Sequence, residues 1–327
     1  MKTRILGKDL KTSPVSLGCM GMTHAYGAPS DPKEMTKILH AAVDMGYLMF
    51  DTAECYTGVN ADGTTAYNEE LVGAALKSYR HDITLATKCG VYFGAERPMD
   101  SRPESIRKAI EGSLKRLQTD YIDLYYQHRI DPEVSPEEVA GVMGDLMKEG
   151  KILHWGISET NEEYLRRAHA VTPVTAIQNR YSMMAREYES LFPVLEELNI
   201  GLVAFSPLAN GILSDAYTAN DKFEEGVDFR SHMPQYTPEG FEANKALFEY
   251  IRALSAEKNC TPAQISLAWM ICKKPFIVPI PGSRKIERIQ ENFNAGNIEL
   301  TAAEVAAIDE KLNALDTSNT YGVRRGN

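Results

Sequence analysis

The chain has 327 residues, enough for one large α/β core or two smaller domains, and its 43% apolar, 24% charged and 9% aromatic content is that of an ordinary folded protein. A net charge of −10 argues against a general binder of nucleic acid or of an anionic membrane, either of which needs a basic face. No run approaches 18 apolar residues, the start lacks a signal-peptide pattern, and the five scattered cysteines contain no C-x-x-C pair, so a cytoplasmic protein with reduced thiols and no thiolate metal site is expected.

In chain order, "TRILGKDLKT" within about residues 1–15 reads as a hairpin placed to plug one end of a barrel. Short apolar runs then alternate with amphipathic helix patterns. The candidate strands are "SLGCMG", "YLMFDTA", "DITLATKC", "YIDLYYQH", "KILHWGIS", "TAIQNRYS", "GLVAFSPL" and "FIVPIPG". Helix starts are marked by S/T-x-x-E/Q boxes at Ser101 with Glu104, Ser135 with Glu138, Thr160 with Glu163, Thr261 with Gln264, and Thr301 with Glu304. Eight strand-helix units imply parallel pairing with right-handed crossovers, and favour a closed (β/α)8 barrel over an open doubly wound sheet. The expected organisation is one barrel domain over 1–327. It carries an N-terminal hairpin, a long loop at about 209–240 before a helix at 241–259, and a C-terminal helix and tail at about 301–327.

Chemistry in such a barrel sits at the C-terminal strand ends. Strand two ends in Asp51 with Tyr56 just beyond, strand three in Lys88, and strand four in His128. Adjacent strands lie about 4.8 Å apart, so these groups converge within roughly 10 Å. A lysine beside an aspartate keeps its charge, and that cation favours the phenolate of a nearby tyrosine, lowering its pKa towards the range of a general acid. A histidine alongside can donate a hydrogen bond to a substrate oxygen. At the far end of the barrel sequence, "PIPGSRKIERIQEN" ends a strand and opens a helix, with Ser283, Arg284, Lys285 and Arg288 adding donors and charge. That pattern suits an anion. Ser283 as a plain N-cap beside a solvated basic face is the competing reading at this point.

The motifs "FDTAECY", "ATKCG", "YYQH", "GIS", "QNRYS", "FSPL" and "IPGSRKIERIQEN" stand in the order and at roughly the spacings of the aldo-keto reductases, which the chain resembles over essentially its whole length. The resemblance implies that Asp51, Tyr56, Lys88 and His128 form a catalytic tetrad and that the enzyme reduces a small-molecule aldehyde or ketone with NADPH. It implies Ser283, Arg284 and Arg288 around the adenosine 2′-phosphate, and Glu291 and Asn292 around the adenine. Ser158 and Gln178 would hold the nicotinamide carboxamide, Phe205 would stack on the ring, and Ser206, Leu208 and Gly211 would contact the pyrophosphate. Two positions depart from the family pattern: Glu159 stands where asparagine is common, and Phe205 where tyrosine often stacks. No G-x-G-x-x-G fingerprint opens a helix, in keeping with a cofactor bound without a Rossmann unit. His24, Tyr26, Tyr92, Phe93 and Arg129 are candidates to line the substrate pocket, and His24 and Arg129 hint at a polar or acidic carbonyl compound.

Two rival functions fit parts of the same pattern. A non-enzymatic NADPH-binding regulator or partner subunit would keep the phosphate site but has less need of Tyr56 with Lys88. A metal-dependent hydrolase on the same barrel wants several ligands at the strand ends, where His128 is the one histidine. No metal is therefore expected.

Overall fold

The computed structural model describes residues 2–315, so the tail beyond 315 lies outside the described residues. Eight strands form one parallel sheet: β1 (Leu17–Gly18), β2 (Met49–Asp51), β3 (Thr84–Cys89), β4 (Ile122–Gln127), β5 (Ile152–Ser158), β6 (Ala176–Arg180), β7 (Gly201–Phe205) and β8 (Ile277–Pro279). Each strand pairs with its sequence neighbour. The ring closes where the Ser16 and Gly18 N–H groups donate to the carbonyls of Pro279 and Pro281, at 3.0 and 3.4 Å. The expected closed barrel is what forms.

Helices fill the outside because the crossovers need them and the chain caps them well. The first, α1 (Pro32–Met45), starts at Asp31, whose carboxylate accepts from the Lys33 and Glu34 N–H groups, and stops at Gly46 in the left-handed region. Capping boxes form at Ser135, Thr261 and Thr301. The expected boxes at Ser101 and Thr160 do not form. Pro103 at the first helical position makes Arg102 the cap residue, and Asn161 takes the role from Thr160 by accepting the Tyr164 N–H.

The barrel interior follows the two-residue period of the strands. Met49, Ala86, Leu124, Tyr126, Ala176, Val203 and Val278 pack together inside, joined from below by Leu6 and Leu10 of the N-terminal hairpin, Arg4–Leu6 with Leu10–Thr12. Leu6 is fully buried, and a Cβ on Gly201 would come within 2.5 Å of its side chain. The plug is therefore closely fitted. A second, larger set of apolar residues fills the space between the outer face of the sheet and the helices.

Two features depart from expectation. The segment after Tyr56 forms a small antiparallel hairpin, Thr57–Val59 with Thr65–Tyr67, that the strand pattern did not reveal. The 209–240 insertion is not a bare loop: it holds 3-10 turns at Ala209–Ser214, Phe229–His232 and Pro234–Tyr236, and a short helix, Pro238–Ala243, precedes the main helix Lys245–Glu257. The insertion is tied to the loop after β1 by an antiparallel bridge between Tyr26 and Asp228, and by the Phe229 N–H on the Ala25 carbonyl at 2.8 Å.

Truncating the plug should cost stability and leave chemistry alone. Leu6→Ala is expected to lose about 2 to 5 kcal/mol, read as a lower urea midpoint at unchanged slope, with kcat below the transition at its wild-type value. An unmoved midpoint would show that the hairpin does not support the barrel.

Candidate active site

The interior alternation carries on past the apolar layer into four polar residues and one aromatic at the C-terminal mouth. Asp51 follows Met49 by two positions, Lys88 follows Ala86, His128 follows Tyr126, Gln178 follows Ala176 and Phe205 follows Val203. Asp51 lies opposite Ala86 in the β2–β3 register, so Lys88 reaches it from one step further along.

The four predicted catalytic residues meet. Lys88, with no exposed surface, donates from Nζ to Asp51 Oδ1 at 2.5 Å, to the Thr52 carbonyl at 2.7 Å and to Tyr56 Oη at 3.2 Å. Asp51 Oδ2 accepts from the Gln178 amide at 2.8 Å. The His128 ring stands edge-on to Tyr56, with centroids 5.7 Å apart.

Electrostatics distinguish these groups. Burial presses the Lys88 ammonium to lose its proton, but Asp51 and Tyr56 outweigh it, and its pKa stands above the ordinary value. Burial raises Asp51, with Lys88 and Gln178 pulling it partly back. Tyr56 corrects the sequence expectation: burial raises its pKa, and the attraction of Lys88 offsets this only in part, so the phenol stands above its ordinary value. Burial, followed by the nearby charges of Lys88 and Arg129, takes His128 well below the usual imidazole range, which leaves it neutral.

Two further residues at the site were missed by sequence reasoning. The Cys55 sulfur lies 3.4 Å from His128 Nδ1. Burial pushes this thiol up to about 12, so it keeps its proton. A protonated thiol donates to Nδ1, and the single proton of neutral His128 then belongs on Nε2. Glu54 accepts the Gly90 N–H at 2.8 Å, and burial raises its carboxyl to about 7. Both lie in the loop between Asp51 and Tyr56, past the end of the strand, where no periodicity marks which side chains turn inward.

The predicted pocket residues divide. His24 lies stacked between Tyr56 and Phe93, with centroids 5.9 and 5.5 Å away, and its Nδ1 bonds the Thr57 carbonyl at 2.7 Å. Phe93 is 67% exposed at the rim. Tyr92 stands beside Glu54. Arg129 donates to the His128 carbonyl at 2.6 Å and to Ser158 Oγ at 2.9 Å. Tyr26 is instead bound to the insertion, its hydroxyl accepting from Asn210 at 2.7 Å.

The predicted cofactor residues form two groups. Phe205 has the guanidinium carbons of Arg129 and Arg180 each 5.9 Å from its ring centre. Just beyond it Ser206, Ala209, Asn210 and Gly211 take positive φ, and the Leu208 carbonyl accepts the Gly211 and Leu213 N–H groups. So many left-handed residues in one short turn are uncommon away from sites that hold a ligand. Glu159, also at positive φ, accepts the Arg180 N–H and the Tyr188 hydroxyl. At the second group the helix Ile286–Asn294 begins after Lys285 with no side-chain cap, while Ser283 Oγ accepts the Lys285 N–H. Arg284 reaches across to the carbonyls of Gly21 and Ala28, leaving its buried Nη2 without a partner among the described residues. Arg288 pairs with Glu291 at 2.6 Å, the Glu291 carbonyl accepts from Gln264, and Asn292 is buried.

Comparison with known proteins identifies the family. Residues 14–313 match the model of the aldo/keto reductase family. A probable aldo-keto reductase 1 of Glycine max is 36% identical over 307 residues, covering 93% of this chain and 86% of that protein. The glycerol dehydrogenase of Gluconobacter oxydans superposes with a TM-score of 0.84 at 27% identity, over 99% of this chain and 98% of that one. An aldo/keto reductase from Klebsiella pneumoniae, solved with NADP and acetate, gives 0.71 at 27% identity, over 97% and 99% of the two chains. On sequence, fold and relatives together, the chain belongs to the aldo/keto reductase family.

Proposed function

We propose that this protein reduces aldehydes or ketones to alcohols with NADPH, using Tyr56 as the general acid. The observation that carries the reading is a buried lysine 3.2 Å from a buried phenol, with an aspartate holding the lysine's charge. NADPH, when bound, supplies the hydride. Tyr56 gives its proton to the carbonyl oxygen as negative charge develops there, and Lys88 stabilises the phenolate left behind. Asp51 keeps Lys88 charged. Neutral His128, with its proton on Nε2, donates a hydrogen bond to the same oxygen and fixes its direction. The same groups run the reverse oxidation.

The residues present fit the cofactor. The orphaned Nη2 of Arg284, the uncapped helix start and Arg288 suit the 2′-phosphate, and Ser283 adds a hydroxyl. Glu291 and Asn292 lie along the same helix for the adenine. The left-handed turn at Ser206, Leu208 and Gly211 suits the pyrophosphate. Phe205 offers the stacking face, and Ser158 with Gln178 the carboxamide contacts. The NADP bound in the Klebsiella pneumoniae neighbour supports this choice of cofactor. A non-enzymatic NADPH-binding subunit would use the phosphate residues but has no need of the Lys88–Tyr56 contact.

Three measurements test the reading. Tyr56→Phe is expected to cut kcat about 100 to 10,000-fold while NADPH still quenches protein fluorescence. Retention of most of the activity would remove Tyr56 as the acid.

Reduction needs the protonated phenol, so the rate is lost as pH rises through the Tyr56 pKa. Lys88 pulls that pKa down against burial. Lys88→Met should therefore slow the reaction and move the alkaline limb of the reductive profile to higher pH. A limb that stays in place would refute the tuning role.

Arg288→Ala should weaken NADPH and leave NADH nearly unchanged. One charge-assisted contact corresponds to about 10 to 100-fold in affinity. Fluorescence titration of wild type and variant with both cofactors decides it.

A further inference from the structure

Several arginines near the barrel mouth pair with carboxylates. Arg97 pairs with Asp131, Arg102 with Asp100, Arg230 with Asp228 and Arg288 with Glu291. Arg129 has no carboxylate partner among the described residues. Both of its protein hydrogen bonds leave from Nη1, to the His128 carbonyl and Ser158 Oγ. Among the described residues its Nε and Nη2 have no acceptor, and they are not sealed off from solvent, although the residue is half-buried.

The acids that could neutralise it are engaged elsewhere. Asp51 is held by Lys88 and Gln178, Glu54 takes the Gly90 N–H, and Glu159 takes the Arg180 N–H and the Tyr188 hydroxyl. A guanidinium left without a counter-ion in a partly desolvated pocket is costly, and a bound anion removes that cost. The fold keeps Arg129 in place without using up its donors. Ser158 accepts from it, so the Ser158 hydroxyl proton stays free to point elsewhere. Arg129 follows His128 directly, so its free edge stands at the same strand end as the group that orients the carbonyl.

Resting on the proposed carbonyl reduction, we propose that the preferred substrates are anionic, carrying a carboxylate or similar group that binds the free edge of the Arg129 guanidinium while Tyr56 and His128 take the carbonyl. His24, stacked between Tyr56 and Phe93 with Nδ1 bonded to the Thr57 carbonyl, adds a second polar group beside Tyr56. The chain's overall charge of −10 repels anions in general, so the preference depends on this local cation.

Matched substrates test the idea within one preparation. Succinic semialdehyde is compared with butanal, and 4-carboxybenzaldehyde with its methyl ester, by NADPH absorbance. The acid member of each pair should have the higher kcat/KM, by about tenfold or more for one charge-assisted contact, and added salt should narrow the gap. Butyrate should inhibit competitively with the aldehyde where butyramide does not. In Arg129→Gln the acid-to-neutral ratio should fall to about one, whatever the absolute rate, because the ratio is internal to the variant. If that variant does not fold, the wild-type ratio and the butyrate arm still decide. A wild-type ratio of one or less, with neutral aldehydes turned over well, would overturn the anionic preference and leave the reductase reading standing. Failure to reduce any member of either pair would overturn both.

Discussion

A lysine with no exposed surface remains a cation only where its surroundings are arranged for it, and the mouth of this barrel is arranged around Lys88. Asp51, the Thr52 carbonyl and Tyr56 surround its ammonium, and Gln178 holds the second oxygen of Asp51. A buried pair of this kind contributes little net stability, because desolvation offsets the attraction, but removing one partner leaves a charge stranded. Its value lies in the field it creates. Burial is the larger influence on both groups that would meet a carbonyl oxygen, and this one cation acts on each, drawing the Tyr56 phenol partly back from burial and adding to it in lowering His128.

The barrel was legible because its rules are local. Capping residues, apolar runs and the alternation of strand and helix are all written in short windows. Asp51, Lys88 and His128 were legible for a related reason: each continues the inward period of a strand one step beyond its last apolar residue. What the sequence hid was extent of burial and partners across space. Nothing near Tyr56 in the chain says that desolvation outweighs Lys88. The contact of Cys55 with His128 joins residues 73 positions apart. The two missed caps were local errors of a different kind, in which a neighbouring Pro103 or Asn161 competed for the same role. The hairpin after Tyr56 carries a turn signal in Asp62–Gly63, but its flanking strands are only three residues long and lack an apolar run.

The loop after β1 links the two halves of the proposed site. His24 stands on it beside Tyr56, and Tyr26 is bound to the insertion through Asn210. Gly21 and Ala28, near its two ends, are both gripped by Arg284 at the start of the proposed phosphate motif. Arg284 therefore fastens the loop as well as facing the proposed anion, a second role that its position in the motif did not announce.

The fitted hairpin at the base bears on how such a protein diversifies. Leu6 and Leu10 close the interior from below, so the barrel's integrity is secured at the end away from the chemistry. Loops at the mouth can then be lengthened, exchanged or re-equipped under selection with little penalty to folding. The superposition with a glycerol dehydrogenase at 27% identity shows how little of the sequence such a vessel has to keep for its shape to persist.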